Sequence, residues 1–283
     1  MTGFTRRSFM SLSGATVAWP WAAHASAPIR LGLTPVFLDN DGEVISTLQR
    51  ALERGTGRSI ELMQRRTYQE VTGLLLEGGV DAAWLCGFPY LQHETVLGLL
   101  GAPVWRGAPL YRSYLITAAE DAALSLTDLR GGTHAFSDPD SNSGWLVTAS
   151  DLVRLGERSE TFFERTLFTY GHRNVVRAVA GGLTRSGSVD GYVWEALARV
   201  EPRLTARTKV IARSEELGFP PFVTRQNHVA TPEARLLKAA LLGLAGSPEG
   251  RAALHMLQLD RVAECETGLF DGIRTRMRLM DGL

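Results

Sequence analysis

The sequence predicts an α/β protein built as two α/β lobes joined by two crossing segments. Three observations carry that expectation. Short apolar strands alternate with amphipathic helical stretches from about residue 28 onward. The alternation forms two successive series, the second set inside the first. At 283 residues, 45% hydrophobic and 21% charged, the chain can bury a large core and is too apolar to remain disordered.

The elements follow in order. Ile29–Thr34 is an apolar strand. Residues 43–55 place Val44, Ile45, Leu48, Ala51 and Leu52 on one helical face. Ile60–Gln64 is a second strand. Tyr68–Glu77 is a helix that Gly78 and Gly79 stop. Val80–Leu85 is a strand buried on both faces. This β-α-β-α-β run predicts a parallel sheet with right-handed crossovers. A strand over Leu110–Thr117 and a short helix and turn at 126–132 lead to the second series. That series is a strand at Thr133–Ser137, a loop at Asp138–Gly144, a helix at Trp145–Leu155 and a strand near Leu167–Tyr170. A helix at Asn174–Ala180 and strands at Ser188–Val193 and Thr208–Arg213 complete it. Glu233–Leu244 and the tail are helical. The expected division is lobe 1 at 28–117 plus 213–283 and lobe 2 at 118–212. Ligands in such folds bind at the carboxyl ends of the strands, against helix N-termini.

Charge narrows the partners. Thirty basic and 30 acidic residues cancel, which leaves no basic field for nucleic acid or a membrane surface. Only Lys209 and Lys238 are lysines among the basic residues, a codon-bias signature rather than a functional one. Two cysteines support neither a disulfide framework nor a structural zinc site, and no cofactor or metal is expected.

Residues 1–25 read as an address. Arg6 and Arg7, with Ser8, Phe9 and Met10, precede a soft apolar run and a small-x-small end at Ala25. The arginine pair resembles the twin-arginine export motif. Cleavage after Ala25 leaves 28 basic against 30 acidic residues, a net charge of −2. The expected compartment is the periplasm, with no stable membrane insertion after signal removal and a monomeric mature protein.

Several residues carry candidate chemistry. Ser141, Asn142 and Ser143 stand at a helix entry, where they either cap the first amides or, with those amides, bind an anion by neutral hydrogen bonds. His172, near a second helix start, is either a packed histidine or a donor. Glu195 is expected at a strand's carboxyl end facing the cleft, with Asp190 as a turn or capping residue. Tyr68, Tyr90 and Tyr111 each offer an apolar wall and one hydroxyl, suited equally to a core or to a small polar ligand. Cys86 lies at a strand end and reads first as a small buried apolar residue. Ser143, His172 and Asp190 can be drawn as a triad. No G-x-S-x-G elbow surrounds the serine, and no metal-ligand spacing or phosphate-loop motif exists, so no enzyme is expected.

Taken together, these landmarks resemble the phosphate/phosphite/phosphonate-binding proteins of ABC importers. The resemblant stretches are Arg66-Thr-Tyr68-Gln-Glu-Val, the run Glu77-Gly-Gly-Val to Phe88-Pro-Tyr90, and Leu110-Tyr111-Arg-Ser-Tyr. Further on they are Ser137-Asp-Pro-Asp-Ser141-Asn142-Ser143-Gly144, Gly171-His172, Val189-Asp190 through Glu195, and Phe270-Asp271-Gly-Ile-Arg. The resemblance spans residues 28–274. It implies the type II periplasmic-binding fold and a small oxyanion held by Tyr68, Tyr90, Tyr111, Ser141, Asn142, Ser143, His172 and Glu195. It also implies delivery to an ABC permease by lobe closure. Asn142 departs from the hydroxyl residue usual at its place. Relatives of this fold sense arsenite through a cysteine, so Cys86 keeps a soft-ligand role open. The alternative function is a sensing subunit that presents its ligand-bound form to a histidine kinase.

Overall fold

Strands and helices sort into two mixed sheets and a short ribbon in the computed structural model, which describes residues 27–35 and 42–282. The twin-arginine segment lies outside the described residues. Chain order begins with β1 (Ile29–Leu33), α1 (Gly42–Thr56), β2 (Ile60–Gln64), α2 (Tyr68–Glu77) and β3 (Ala82–Trp84). β1 pairs in parallel with β2 on one side and β3 on the other, as two βαβ crossovers require. α2 starts with a reciprocal capping box, Thr67 with Glu70, and stops at Gly78, whose φ of 81° is left-handed. Its termini are therefore fixed by local chemistry, and Tyr68 is held at its first turn.

α3 (Gly87–Gln92) and β4 (Leu97–Val104) follow. The strand expected over Leu110–Thr117 is two strands. β5 (Leu110–Tyr111) belongs to a two-stranded ribbon, and β6 (Ser113–Ala118) belongs to the second sheet. Arg112 lies between them, so the chain passes from one sheet to the other there rather than at 117. The second sheet continues with β7 (Thr133–Phe136), α4 (Val147–Arg154), α5 (Ser159–Phe162), β8 (Arg165–Phe168), α6 (His172–Ala180) and β9 (Ser186–Asp190). It ends with α7 (Gly191–Val200), α8 (Pro202–Thr205) and β10 (Thr208–Arg213). β11 (Leu217–Gly218) pairs antiparallel with β5 and forms the return crossing. β12 (Phe222–Arg225), α9 (Pro232–Leu242), α10 (Pro248–Met256), β13 (Arg261–Ala263) and α11 (Asp271–Asp281) complete the chain.

The first sheet has the order β13-β4-β12-β3-β1-β2, the second β10-β6-β9-β7-β8. In each, three strands pair in parallel and the remaining strands add antiparallel partners. One apolar cluster, from Ile29 and Leu31 through Val189 and Leu197, runs through both layers. α11 bridges them. Its buried Arg276 forms ion pairs with Asp151 of α4 at 2.8 Å and with Glu215 at 2.6 Å, and donates to the Val147 carbonyl and Ser150 Oγ. Among the described residues no helix is long and apolar enough to cross a membrane.

Three further boundaries differ from the sequence expectation, and each matters to the site. The helix expected from Trp145 begins earlier, as one wide turn over Asn142–Leu146 in which the Leu146 N–H donates to the Ser141 carbonyl. α6 begins at His172 rather than Asn174. The strand expected at Ser188–Val193 ends at Asp190, where its carboxylate accepts from the Tyr192 and Val193 amides and starts a helix.

Candidate functional site

Six of the nine residues singled out in the sequence meet between the two sheets. Tyr68, at the first turn of α2, extends its hydroxyl to within 3.2 Å of His172 Nε2, at the first turn of α6. Tyr111, at the end of β5, accepts from Asn142 Nδ2 at 2.8 Å. The Asn142 backbone amide donates to Cys86 Sγ at 3.3 Å. Ser143 stands beside the Tyr111 hydroxyl, and its carbonyl accepts from Ser113 Oγ at 2.6 Å. All six are at most 3% exposed. Ser141, equally buried, accepts from the Gly144 amide at 3.0 Å and is the cap of the wide turn. It shapes that turn with its hydroxyl oxygen, which is the capping alternative.

The protons in this cluster can be assigned. His172 Nδ1 accepts from the Asp190 amide at 3.1 Å. Burial pushes the imidazole down to about 3, so the ring is neutral and its one proton sits on Nε2. Nε2–H then donates to the Tyr68 oxygen, which leaves the Tyr68 proton to donate elsewhere. Tyr111 is in the same position, because Asn142 already donates to its oxygen. Burial pushes both phenols well above their usual range, so both keep their protons. It also pushes Cys86 up to about 12, a thiol whose sulfur accepts from Asn142. The hydroxyl of Ser137 and Oδ1 of Asn142 are buried with no partner among the described residues. The Ser137 hydroxyl faces Gly144, where an added Cβ would lie 1.8 Å from it and 3.0 Å from the His172 ring. Only glycine fits there.

Among the described residues no lysine or arginine enters this cluster. Two acids do. Asp138 accepts from the Tyr68 amide at 3.1 Å and the Asp140 amide at 2.8 Å, and burial raises it. Burial pushes Asp190 up to about 7 despite its two backbone hydrogen bonds, so it exchanges a proton near neutral pH. Neutral donors, open helix N-termini and an acid poised to share a proton suit a small oxyanion carrying one proton. Among the described residues no three His, Cys, Asp or Glu side chains converge as a metal ion would need.

Two expected residues are elsewhere. Tyr90 lies in α3 against Phe270, with ring centroids 5.1 Å apart, and the charges near its hydroxyl are those of Glu94 and Arg274 rather than of the cluster. Glu195 is not at a strand end. It sits within α7, five residues past Asp190, where it pairs with Arg106 at 3.1 Å and accepts from the Tyr114 hydroxyl at 3.0 Å. Asp190 occupies the position expected of Glu195. Its capping of α7 agrees with the turn or capping role expected of it from the sequence. Cys86 and Cys265 are both free thiols.

The family model for periplasmic substrate-binding proteins of phosphonate ABC transporters matches residues 31–267. The chain belongs to that family. A curated member, the phosphate-import protein PhnD of Mycolicibacterium smegmatis, is 32% identical over 147 residues, which span 48% of this chain and 46% of that protein. The match thus covers about half the length of that relative. The binding component of an ABC phosphonate transporter from Pseudomonas aeruginosa superposes with a TM-score of 0.82 at 21% identity, over 89% of this chain and 87% of that one. The PhnD protein of Prochlorococcus marinus, solved with methylphosphonate, gives 0.78 at 16% identity, over 90% and 98%. The fold of this family member is therefore that of the periplasmic binding proteins.

Proposed function

We propose that the protein captures a small phosphorus oxyanion of the phosphonate, phosphite or phosphate class in the periplasm and presents it to an ABC permease. The single observation that carries this reading is the buried cluster between the sheets, in which His172 Nε2–H donates to the Tyr68 oxygen and Asn142 Nδ2 to the Tyr111 oxygen, so that neither bond uses a tyrosine proton. Tyr68, Tyr111 and Ser143 would donate to the oxygens, Asn142 and His172 would hold the tyrosines in place, and Asp190 would share the ligand's proton. The two sheets with their helices would act as lobes that close by bending at the Leu110–Tyr111 and Leu217–Gly218 ribbon. Binding and closure are the whole mechanism, and no bond is made or broken. The monomer exported by the twin-arginine route is part of the same proposal. The names of the relatives support the ligand class: one is a phosphate importer, another was solved with methylphosphonate.

The test is thermal melting of the purified protein against phosphate, phosphite, methylphosphonate, 2-aminoethylphosphonate, sulfate and arsenite. A ligand at 100 times its dissociation constant adds about 2.7 kcal/mol. A clear upward shift with a phosphorus oxyanion, lost in Ser143→Ala, is expected. A shift with arsenite alone, lost in Cys86→Ser, would instead point to the sensing subunit. No shift with any anion on folded, ligand-free protein would remove the assignment.

A further inference from the structure

A groove of about 750 Å3 is lined by residues that neighbour Tyr68 and His172 in sequence, among them Arg66, Glu70, Tyr170 and Arg173. Its walls come from both sheets. On one side are Arg65 and Arg66, between the end of β2 and the start of α2. On the other are Arg173 and Arg177, on successive turns of α6. Tyr170, 40% exposed and held at a φ of 53° that few non-glycine residues adopt, stands at the rim. The chain as a whole has no net charge, so four arginines lining one groove are a local concentration rather than a general basicity.

The opposing charge is small and already committed. Among the described residues Glu70 is the one acid on the wall, and its carboxylate is tied to the Arg66 and Thr67 amides, both at 3.0 Å. Arg173 is paired with Glu201. Arg65, Arg66 and Arg177 form no salt bridge with any described residue. The buried cluster behind the groove holds no cation, so the two regions differ in kind. One is a buried cluster of neutral donors, and the other an arginine-lined groove. Arg66 precedes Tyr68 by two residues, and Tyr170 precedes His172 by two. The two residues whose hydroxyl and ring nitrogen meet at 3.2 Å are thus each flanked by a groove residue.

We infer that this groove is a second anion subsite, and that the physiological ligand is an organophosphonate whose substituent ends in its own anionic group, such as a carboxylate or a second phosphoryl. The inference rests on the reading that the phosphorus oxyanion is held at the Ser141–Ser143 turn. The distal group, reaching into the groove, would bridge Arg66 of the first sheet's layer and Arg177 of the second. A bridge across the cleft is made only when the lobes are closed, so this contact adds to affinity through closure. A neutral or cationic substituent makes no such bridge.

The test is calorimetric titration of the wild type and of an Arg66→Ala/Arg177→Ala double variant with methylphosphonate, 3-phosphonopropionate and free propionate, at fixed pH and 0.15 M salt. Both arginines are exposed and belong to no internal network, so the variant should melt with the wild type. The wild type is expected to bind 3-phosphonopropionate at least tenfold more tightly than methylphosphonate, about 1.4 kcal/mol. The double variant should lose that preference while its methylphosphonate affinity changes less than twofold. Equal affinities in the wild type, or a preference that survives both substitutions, overturns the inference. So does an equal loss for both phosphonates, the signature of general electrostatic attraction. Propionate binding with an affinity like that of 3-phosphonopropionate would make the groove a free carboxylate site and also overturn it. If neither phosphonate binds the wild type, the oxyanion reading itself has failed, which the methylphosphonate arm identifies separately.

Discussion

His134 offers a test of how completely the second sheet excludes water. It lies on β7, 0% exposed, with Nδ1 2.7 Å from Ser186 Oγ and Nε2 2.9 Å from Ser188 Oγ, and its ring stacks on Phe163 at 4.4 Å. Burial alone pushes it down to about 3 from 6.5. An imidazole whose folded value lies below its unfolded value contributes stability that is present above 6.5 and is lost as the pH falls, because the unfolded chain takes up the proton first. The loss is about 1.4 kcal/mol per pH unit below the unfolded value, so about 2 kcal/mol is gone by pH 5. The perturbation is His134→Gln. The glutamine costs packing and hydrogen bonds at any pH, but it does not titrate. Urea unfolding of both proteins at pH 7 and pH 5 gives two stability differences. Subtracting them cancels the packing cost and the effects of His172, Asp138 and Asp190, which both proteins share. The stability of the wild type relative to the variant should fall by about 2 kcal/mol from pH 7 to pH 5. A difference that stays within about 0.5 kcal/mol would show that His134 takes up a proton in the folded state, and the exclusion of water from this sheet's interior would be refuted.

Three other outcomes are expected. Gly144→Ala should destabilise the fold by about 1–3 kcal/mol and abolish oxyanion binding, because its Cβ would meet a buried serine at 1.8 Å; calorimetry and a melt on the same sample check both effects. Asp190, pushed up to about 7, shares one proton with the ligand, so affinity should fall as the pH rises from 7 to 9. In Asp190→Asn the amide donates at every pH, and titrations across that range should show the fall removed. Glu195→Gln should leave ligand affinity within twofold and cost about 0–1 kcal/mol of stability, since the pair it breaks sits on the rim with Arg106 53% exposed.

The parts of the fold that local chemistry decides were legible in the sequence. α2 runs over the expected residues because a Thr67–Glu70 capping box opens it and Gly78 closes it, both readable without any tertiary partner. β2 and β10 also run over the expected residues, Ile60–Gln64 and Thr208–Arg213. β4 was missed. Leu97–Val104 reads Leu-Gly-Leu-Leu-Gly-Ala-Pro-Val, and a strand flanked by β12 and β13 and buried on both faces shows no alternation. Glu195 was misplaced for a related reason. Tyr192, Val193 and Trp194 have the composition of a strand, and the Asp190 cap that turns them into a helix outweighs it. Tyr90 was drawn to the site by its Pro-Tyr neighbourhood. Its actual partner, Phe270, lies 180 residues away, a contact no local pattern encodes. Tyr68, His172 and the Ser141–Ser143 turn stand out in the sequence because each lies where a strand gives way to a helix, and the structure brings them together between the sheets. Their proton assignments were not readable, because those depend on Asp190 and Asn142 meeting them across the cleft.

The central claim is that neutral hydroxyl protons, freed by His172 and Asn142, hold the oxyanion. Calorimetric titration of methylphosphonate into the wild type, Tyr68→Phe and Tyr111→Phe tests it most directly, since each substitution removes one oxygen and its proton and leaves the ring. Each variant should lose tenfold or more in affinity, in keeping with about 1.5–3 kcal/mol for a hydrogen bond to a charged group. Wild-type affinity in both phenylalanine variants would contradict the account.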